Sequence, residues 1–167
     1  MSETKKNLKN AFAGESQANR RYLAFAKKAE EEGYSQIAKL FKAAAEAETV
    51  HALNHLRIVG EVNSTIDNVK AAISGETHEF KSMYPEFIDI ANQEGNKQAV
   101  WSFNVASKVE KIHANLLSKI NTALETEQKL ENVDYYVCKV CGNTVEGSAP
   151  DKCPICGASK DQFFKPN

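Results

Sequence analysis

Two short stretches hold the residues best suited to chemistry: Glu48-Thr49-Val50-His51 and Glu110-Lys111-Ile112-His113. Each is a Glu-x-x-His inside a long helical pattern, and residues three apart on a helix share a face, so each stretch aims a carboxylate and an imidazole the same way. Both fall on apolar stripes, where an unpaired ionisable group costs several kcal/mol and metal coordination is the usual remedy. More carboxylates follow the same logic. Glu15 sits on the inward stripe of the first helical stretch, while Glu76 and Glu79 run in phase with Ala72 and Met83 on the third. A single glutamate from each of two helices, with Glu-x-x-His from each of two others, is the donor set of a di-iron carboxylate bundle. Oxygen-rich donors with two imidazoles suit iron or manganese better than a soft metal. One Glu-x-x-His alone is usually a solvated pair; two on apolar stripes, with stripe carboxylates beside them, favour metal. For Glu76 and Glu79, phase weighs ligand and exposed-face glutamate evenly.

The four cysteines form two knuckles, Cys138-x-x-Cys141-Gly142 and Cys153-Pro154-x-Cys156-Gly157. They place four thiolates for tetrahedral iron or zinc. A purely structural zinc ribbon competes closely on spacing, and a redox-type metal site in the same chain tips the reading toward iron. Among the other polar residues, His55 reads as a contact at the bundle edge and His78 as a surface group. Tyr22, seven residues after Glu15 on the same stripe, is balanced between a hydrogen bond to the metal site and an ordinary core role.

Four helical stretches must position these groups. Apolar periodicity predicts the first over about Asn7 to Glu32, stopped by Gly33, and the second from Ser35 to a stop at Gly60. The third starts behind a cap at Ser64 or Thr65 and ends around Gly95-Asn96, with Gly75 and Pro85 weakening its interior. The fourth carries Ala99, Phe103, Ala106, Glu110, His113, Leu117, Ile120 and Leu124 in unbroken steps of three and four. Such helices with short connections make a four-helix bundle, here over 1–124. A polar linker over 125–134 leads to a cysteine domain over 135–167, which opens with a short strand at Tyr135-Tyr136-Val137 and is too small to fold without a metal.

The chain has 167 residues, 42% apolar and 26% charged, with a formal net charge of -1. That balance disfavours nucleic-acid or membrane-surface binding. No apolar run spans a bilayer, and Met1-Ser2-Glu3-Thr4-Lys5 does not read as a signal peptide. Clustered cysteines without a secretion signal point to metal binding in a reducing cytoplasm.

These residues resemble the rubrerythrins over nearly the full length. The resemblance rests on Ala11-Phe12-Ala13-Gly14-Glu15-Ser16-Gln17-Ala18, Glu48-x-x-His51, Gly75-Glu76-x-x-Glu79 with Met83-Tyr84-Pro85, Glu110-x-x-His113 and the two cysteine knuckles. It implies a mainly α fold, a ferritin-like di-iron four-helix bundle followed by a rubredoxin-like domain. It also implies that Glu76 and Glu79 are both ligands, that Glu48 and Glu110 bridge two irons, and that Glu15 holds one iron while Glu76 and His113 hold the other. Glu79 and His51 would exchange on the first iron with redox state, and Cys138, Cys141, Cys153 and Cys156 would hold a third. The implied activity is peroxidase: hydrogen peroxide reduced to water in oxidative-stress defence, with NAD(P)H-derived electrons arriving through rubredoxin or a flavoprotein reductase. A dioxygen-consuming oxidase or ferroxidase is the alternative, and a zinc-ribbon interaction protein with a scaffold bundle is the reading from another class. In ferritin-like folds the second and third helices run parallel. The Gly60–Ser64 connection reaches only about 17 Å when extended, against roughly 37 Å for a helix of about 25 residues. The expectation is a homodimer with swapped helix pairs.

Overall fold

The computed structural model describes residues 1–166. They form two compact units, the first comprising Met1–Asn63 and the second beginning at Ser64.

The first unit is an antiparallel helix pair, α1 (Glu3–Glu31) and α2 (Ser35–Val59). Helix α1 starts four residues earlier than apolar periodicity predicts. The Ser2 hydroxyl caps it by accepting from the Lys5 N–H at 3.3 Å, a signal independent of hydrophobic pattern. Gly33 and Gly60 end the two helices with φ of 83° and 79°, the left-handed geometry in which glycine avoids a Cβ penalty. Lys9 pairs with Glu61 at one end of the hairpin and Lys42 with Glu30 near the other. At mid-length the Asn19 side-chain amide donates to the Ala45 carbonyl at 2.7 Å and to Thr49 Oγ1 at 2.9 Å.

The second unit carries the remaining helices and the cysteine module. The third helical stretch is not one α-helix, as expected from its pattern, but three segments. Helix α3 (Thr65–His78) passes into a π-helical turn, Glu79–Met83, and then into α4 (Tyr84–Gln93). Pro85, in the first turn of α4, has no N–H to give the ladder. Just ahead of it the register widens, and the Tyr84 N–H reaches back to the Glu79 carbonyl. A π turn of this kind accommodates one extra residue within a helix. Helix α5 (Lys97–Glu125) is capped by Asn96, whose side chain accepts from the Ala99 N–H at 3.1 Å.

The cysteine module is a three-stranded antiparallel sheet of order β2-β1-β3. Strand β1 (Tyr135–Cys138) pairs with β2 (Thr144–Glu146), placing Tyr136 opposite Val145, and with β3 (Phe163–Phe164), placing Cys138 opposite Phe163. Its core is Cys138, Cys153 and Phe163, ringed by Tyr136, Val145, Ile155 and the other two cysteines. Four of the ten residues in this cluster are the cysteines.

Burial in the helices is confined to thin seams of mostly small residues: Ala26, Ala29, Ala38, Ala45, Ala52 and Val59 in the first pair, and Ala91, Val109 and Ala114 in the second unit. Larger apolar side chains face outward, among them Leu40 at 68% exposure, Leu53 at 58% and Trp101 at 53%.

Candidate metal centres

Each unit brings one carboxylate–histidine triad together. In the first, Glu15 on α1 meets Glu48 and His51 on α2; in the second, Glu76 on α3 meets Glu110 and His113 on α5. Within each triad the potential ligand atoms all lie within 4.8 Å of one another, close enough to share a cation. The Glu-x-x-His spacing works as helical geometry requires: His51 Nδ1 lies 3.0 Å from Glu48 Oε2, and His113 Nδ1 lies 2.8 Å from Glu110 Oε2 and 3.7 Å from Glu76 Oε2.

The second triad has the donor chemistry of a cation site. Glu76 Oε2 is buried with no hydrogen-bond partner. Burial, with Glu110 beside it, raises the Glu76 carboxyl above its ordinary range, His113 only partly offsetting this. Two carboxylates held together away from water repel, and a metal ion both neutralises them and occupies the orphaned lone pair. Glu79 stands at the start of the π turn and outside the triad. Burial and the neighbouring Glu76 raise its carboxyl as well. Neither His55 nor His78 joins a metal-sized cluster among the described residues.

The units share an aromatic pattern. Tyr22 packs with Phe25 and Phe41 in the first, at ring centroid distances of 6.4 and 6.0 Å. Tyr84 packs with Phe87 and Phe103 in the second, at 6.3 and 6.2 Å. Phe41 and Phe103 each precede their Glu-x-x-His glutamate by seven residues, whereas Tyr22 follows Glu15 by seven and Tyr84 follows Glu76 by eight. The π turn absorbs the difference of one. Tyr84 is a site residue that periodicity passed over. Burial raises its phenol, and the charges of Glu110, Glu79 and Glu76 push the same way, so it stays protonated near three carboxylates. The doubled Tyr-x-x-Phe was the available signal.

The cysteines converge as their spacing predicts. Cys138 Sγ lies 3.8 Å from Cys156 Sγ, and Cys141 Sγ lies 3.6 Å from Cys153 Sγ. These separations are far beyond a disulfide bond of about 2.05 Å and match the sulfur–sulfur edge, about 3.8 Å, of a tetrahedral ion with 2.3 Å metal–sulfur bonds. Burial raises the Cys141 thiol despite the Asn143 N–H directed at it. At Cys153 burial acts the same way but is overcome by the Cys156 and Ile155 N–H groups and the neighbouring thiols, which bring it down to about 7. Four thiols in contact cannot all ionise alone; a cation lets them.

The rubrerythrin family model matches residues 6–121, and the model for the rubrerythrin rubredoxin-like domain matches residues 136–164. The chain belongs to the rubrerythrin family. It is 36% identical to rubrerythrin-2 of Clostridium acetobutylicum, covering 93% of this chain and 92% of that protein. It is also 36% identical to nigerythrin of Nitratidesulfovibrio vulgaris, covering 96% and 85%. A solved structure titled the fully reduced, all-ferrous state of nigerythrin aligns with a TM-score of 0.59 at 35% identity, covering 99% of this chain and 88% of that one. Membership makes the protein a ferritin-like helical protein of oxidoreductase type, with a di-iron site of carboxylate and histidine ligands and a four-cysteine rubredoxin-like site. Both donor sets fit those metals. Among the described residues, no helix is long and apolar enough to cross a membrane.

Proposed function

We propose that this chain is a non-haem peroxidase that reduces hydrogen peroxide to water in the cytoplasm, as part of defence against oxidative stress. The observation that carries the reading is the pair of matching triads, with an orphaned buried carboxylate oxygen on Glu76, in a chain that also holds a four-thiol site. A bound ferrous pair would supply the two electrons, one from each iron, for H2O2 + 2 H+ + 2 e− → 2 H2O.

The chain's own residues do the rest. Glu15, Glu48 and His51 of one triad and Glu76, Glu110 and His113 of the other would hold the iron pair. Glu79, at the start of the π turn, would be a further carboxylate available to the pair. Tyr22 and Tyr84, each set in its aromatic trio, are the phenols available to donate hydrogen bonds or protons to the carboxylates. Cys138, Cys141, Cys153 and Cys156 hold the iron that receives electrons singly from rubredoxin or a flavoprotein reductase fed by NAD(P)H. In this reading the bundle occupies 1–124 and the rubredoxin-like domain 135–167, joined by the linker 125–134.

The two triads belong to separate units, and we propose that each active site forms when the first unit of one chain meets the second unit of its partner. Two features support this. Residues 60–64 offer about 17 Å of extended chain, whereas the 25 residues of α2 are about 37 Å long. The outward Leu40, Leu53 and Trp101 side chains are also what a helix pair exposes before its partner covers it.

Rapid mixing of fully reduced protein with hydrogen peroxide is expected to oxidise the iron pair much faster than it oxidises free ferrous ion, and faster than dioxygen does. Oxidation no faster than that of free ferrous ion would defeat the peroxidase reading. Faster reaction with dioxygen would make the protein an oxidase.

A further inference from the structure

The two histidines of the triads are held very differently. The His51 side chain is 54% exposed and bonds through Nδ1 to its own Glu48; among the described residues it has no bond at Nε2. The His113 side chain is 28% exposed and is gripped at both nitrogens. Nδ1 faces Glu110 and Glu76, while Nε2 lies 2.9 Å from Thr144 Oγ1. Thr144 opens β2, three residues beyond Cys141. Its hydroxyl also lies 3.2 Å from the Gly142 carbonyl, and the Gly142 N–H closes the cysteine knuckle on the Cys138 carbonyl at 2.8 Å.

A hydroxyl has one proton to give and lone pairs to accept with. Once Thr144 donates to the Gly142 carbonyl, it can only accept from His113. The arrangement that satisfies both contacts runs Nε2–H to Thr144 Oγ1, then Oγ1–H to Gly142 O, with the imidazole proton on Nε2. That leaves the Nδ1 lone pair, the one facing Glu110 and Glu76, free to bind a metal. A metal-binding histidine is oriented in this way by the partner of its other ring nitrogen.

We propose that Thr144 is a positioning residue for His113: it holds the tautomer that binds metal and ties the first cysteine knuckle to the metal-bearing face of α5. This rests on His113 being a ligand of the di-iron site, and it extends that reading to the unequal behaviour of the two histidines. His113 would be fixed in its ligand orientation from the cysteine module, whereas His51 has no such partner among the described residues.

The test uses the full-length protein with Thr144→Val, which keeps the shape and loses the hydroxyl, and Thr144→Ser, which keeps the hydroxyl. In zinc-loaded, 15N-histidine-labelled protein, the unsubstituted chain should show a metal-shifted Nδ1 and a slowly exchanging Nε2–H at His113. Thr144→Val should lose the slow exchange and weaken ferrous-ion binding at the paired site, measured by chelator competition, about tenfold to a hundredfold. Thr144→Ser should restore both. The role is overturned if Thr144→Val matches the unsubstituted protein in exchange and affinity, or if Thr144→Ser fails to restore what valine loses. An unshifted His113 Nδ1 in the unsubstituted, zinc-loaded chain would overturn the di-iron assignment itself, and this role with it.

Discussion

Glu110→Ala is expected to remove the paired irons while leaving the four-cysteine iron in place. Metal analysis should fall from about three irons per chain to about one, with the red rubredoxin-like absorption unchanged. Peroxide turnover should drop by at least about a hundredfold, since even outer partners of metal ligands cost ten- to a hundredfold when removed. The physical reason is visible in the second triad. Glu110 Oε2 is the nearest neighbour of His113 Nδ1 at 2.8 Å and shares its site with the partnerless Glu76 Oε2. Without Glu110 the triad keeps one carboxylate and one imidazole, too few donors to hold a cation that must be shared with a second iron. Full iron content in the purified variant would remove Glu110 from the ligand set.

Cys153→Ser should act on the other half of the chain, and through folding as well as chemistry. Cys153 is one of only three buried apolar residues at the centre of the cysteine module, with Cys138 and Phe163. Its sulfur accepts N–H groups from Ile155 and Cys156, and its thiol is the one brought down to about 7. In small metal-folded modules the binding free energy is folding free energy, on the order of 10 kcal/mol, far more than so small a core supplies. The expected result is loss of the red chromophore and rapid proteolysis within residues 135–164, with the α1/α2 pair still helical by circular dichroism. Retention of a tetrahedral iron spectrum would contradict it.

The metal-bearing residues were unusually open to reading because their chemistry runs against their surroundings. Glu48, His51, Glu110 and His113 stand on apolar stripes, and the cysteines are spaced as two knuckles, so local spacing singles out the two Glu-x-x-His pairs, Glu15 and the thiol cluster, while leaving Glu76 and Glu79 evenly weighed between ligand and exposed face. The start of α1 was missed because residues 3–6 are polar and charged, and a serine cap carries the helix there instead. A bend is expected at Gly75 or Pro85, yet Gly75 lies within regular α3 and the irregularity is a π turn just ahead of Pro85. A π turn keeps every backbone dihedral helical and changes only which carbonyl each N–H reaches. Strand β3 is two residues long, and its pairing with Cys138 is nonlocal, so no periodicity announces it. The Thr144–His113 contact spans 31 residues; it depends on how the cysteine module lies against α5, which residue spacing does not encode.

The central claim is that each active site draws one triad from each of two chains. It can be tested by pairing two inactive variants, Glu48→Ala and Glu110→Ala, neither of which should hold paired irons alone. If sites are shared, a mixed dimer contains one site with both glutamates and one with neither. Random pairing of equal amounts makes about half the dimers mixed, each with one of two sites intact, so roughly a quarter of the paired iron and of the peroxide activity should return. If both triads of a site come from the same chain, every site in the mixture lacks a glutamate, and the mixture should stay as inactive as the separate variants.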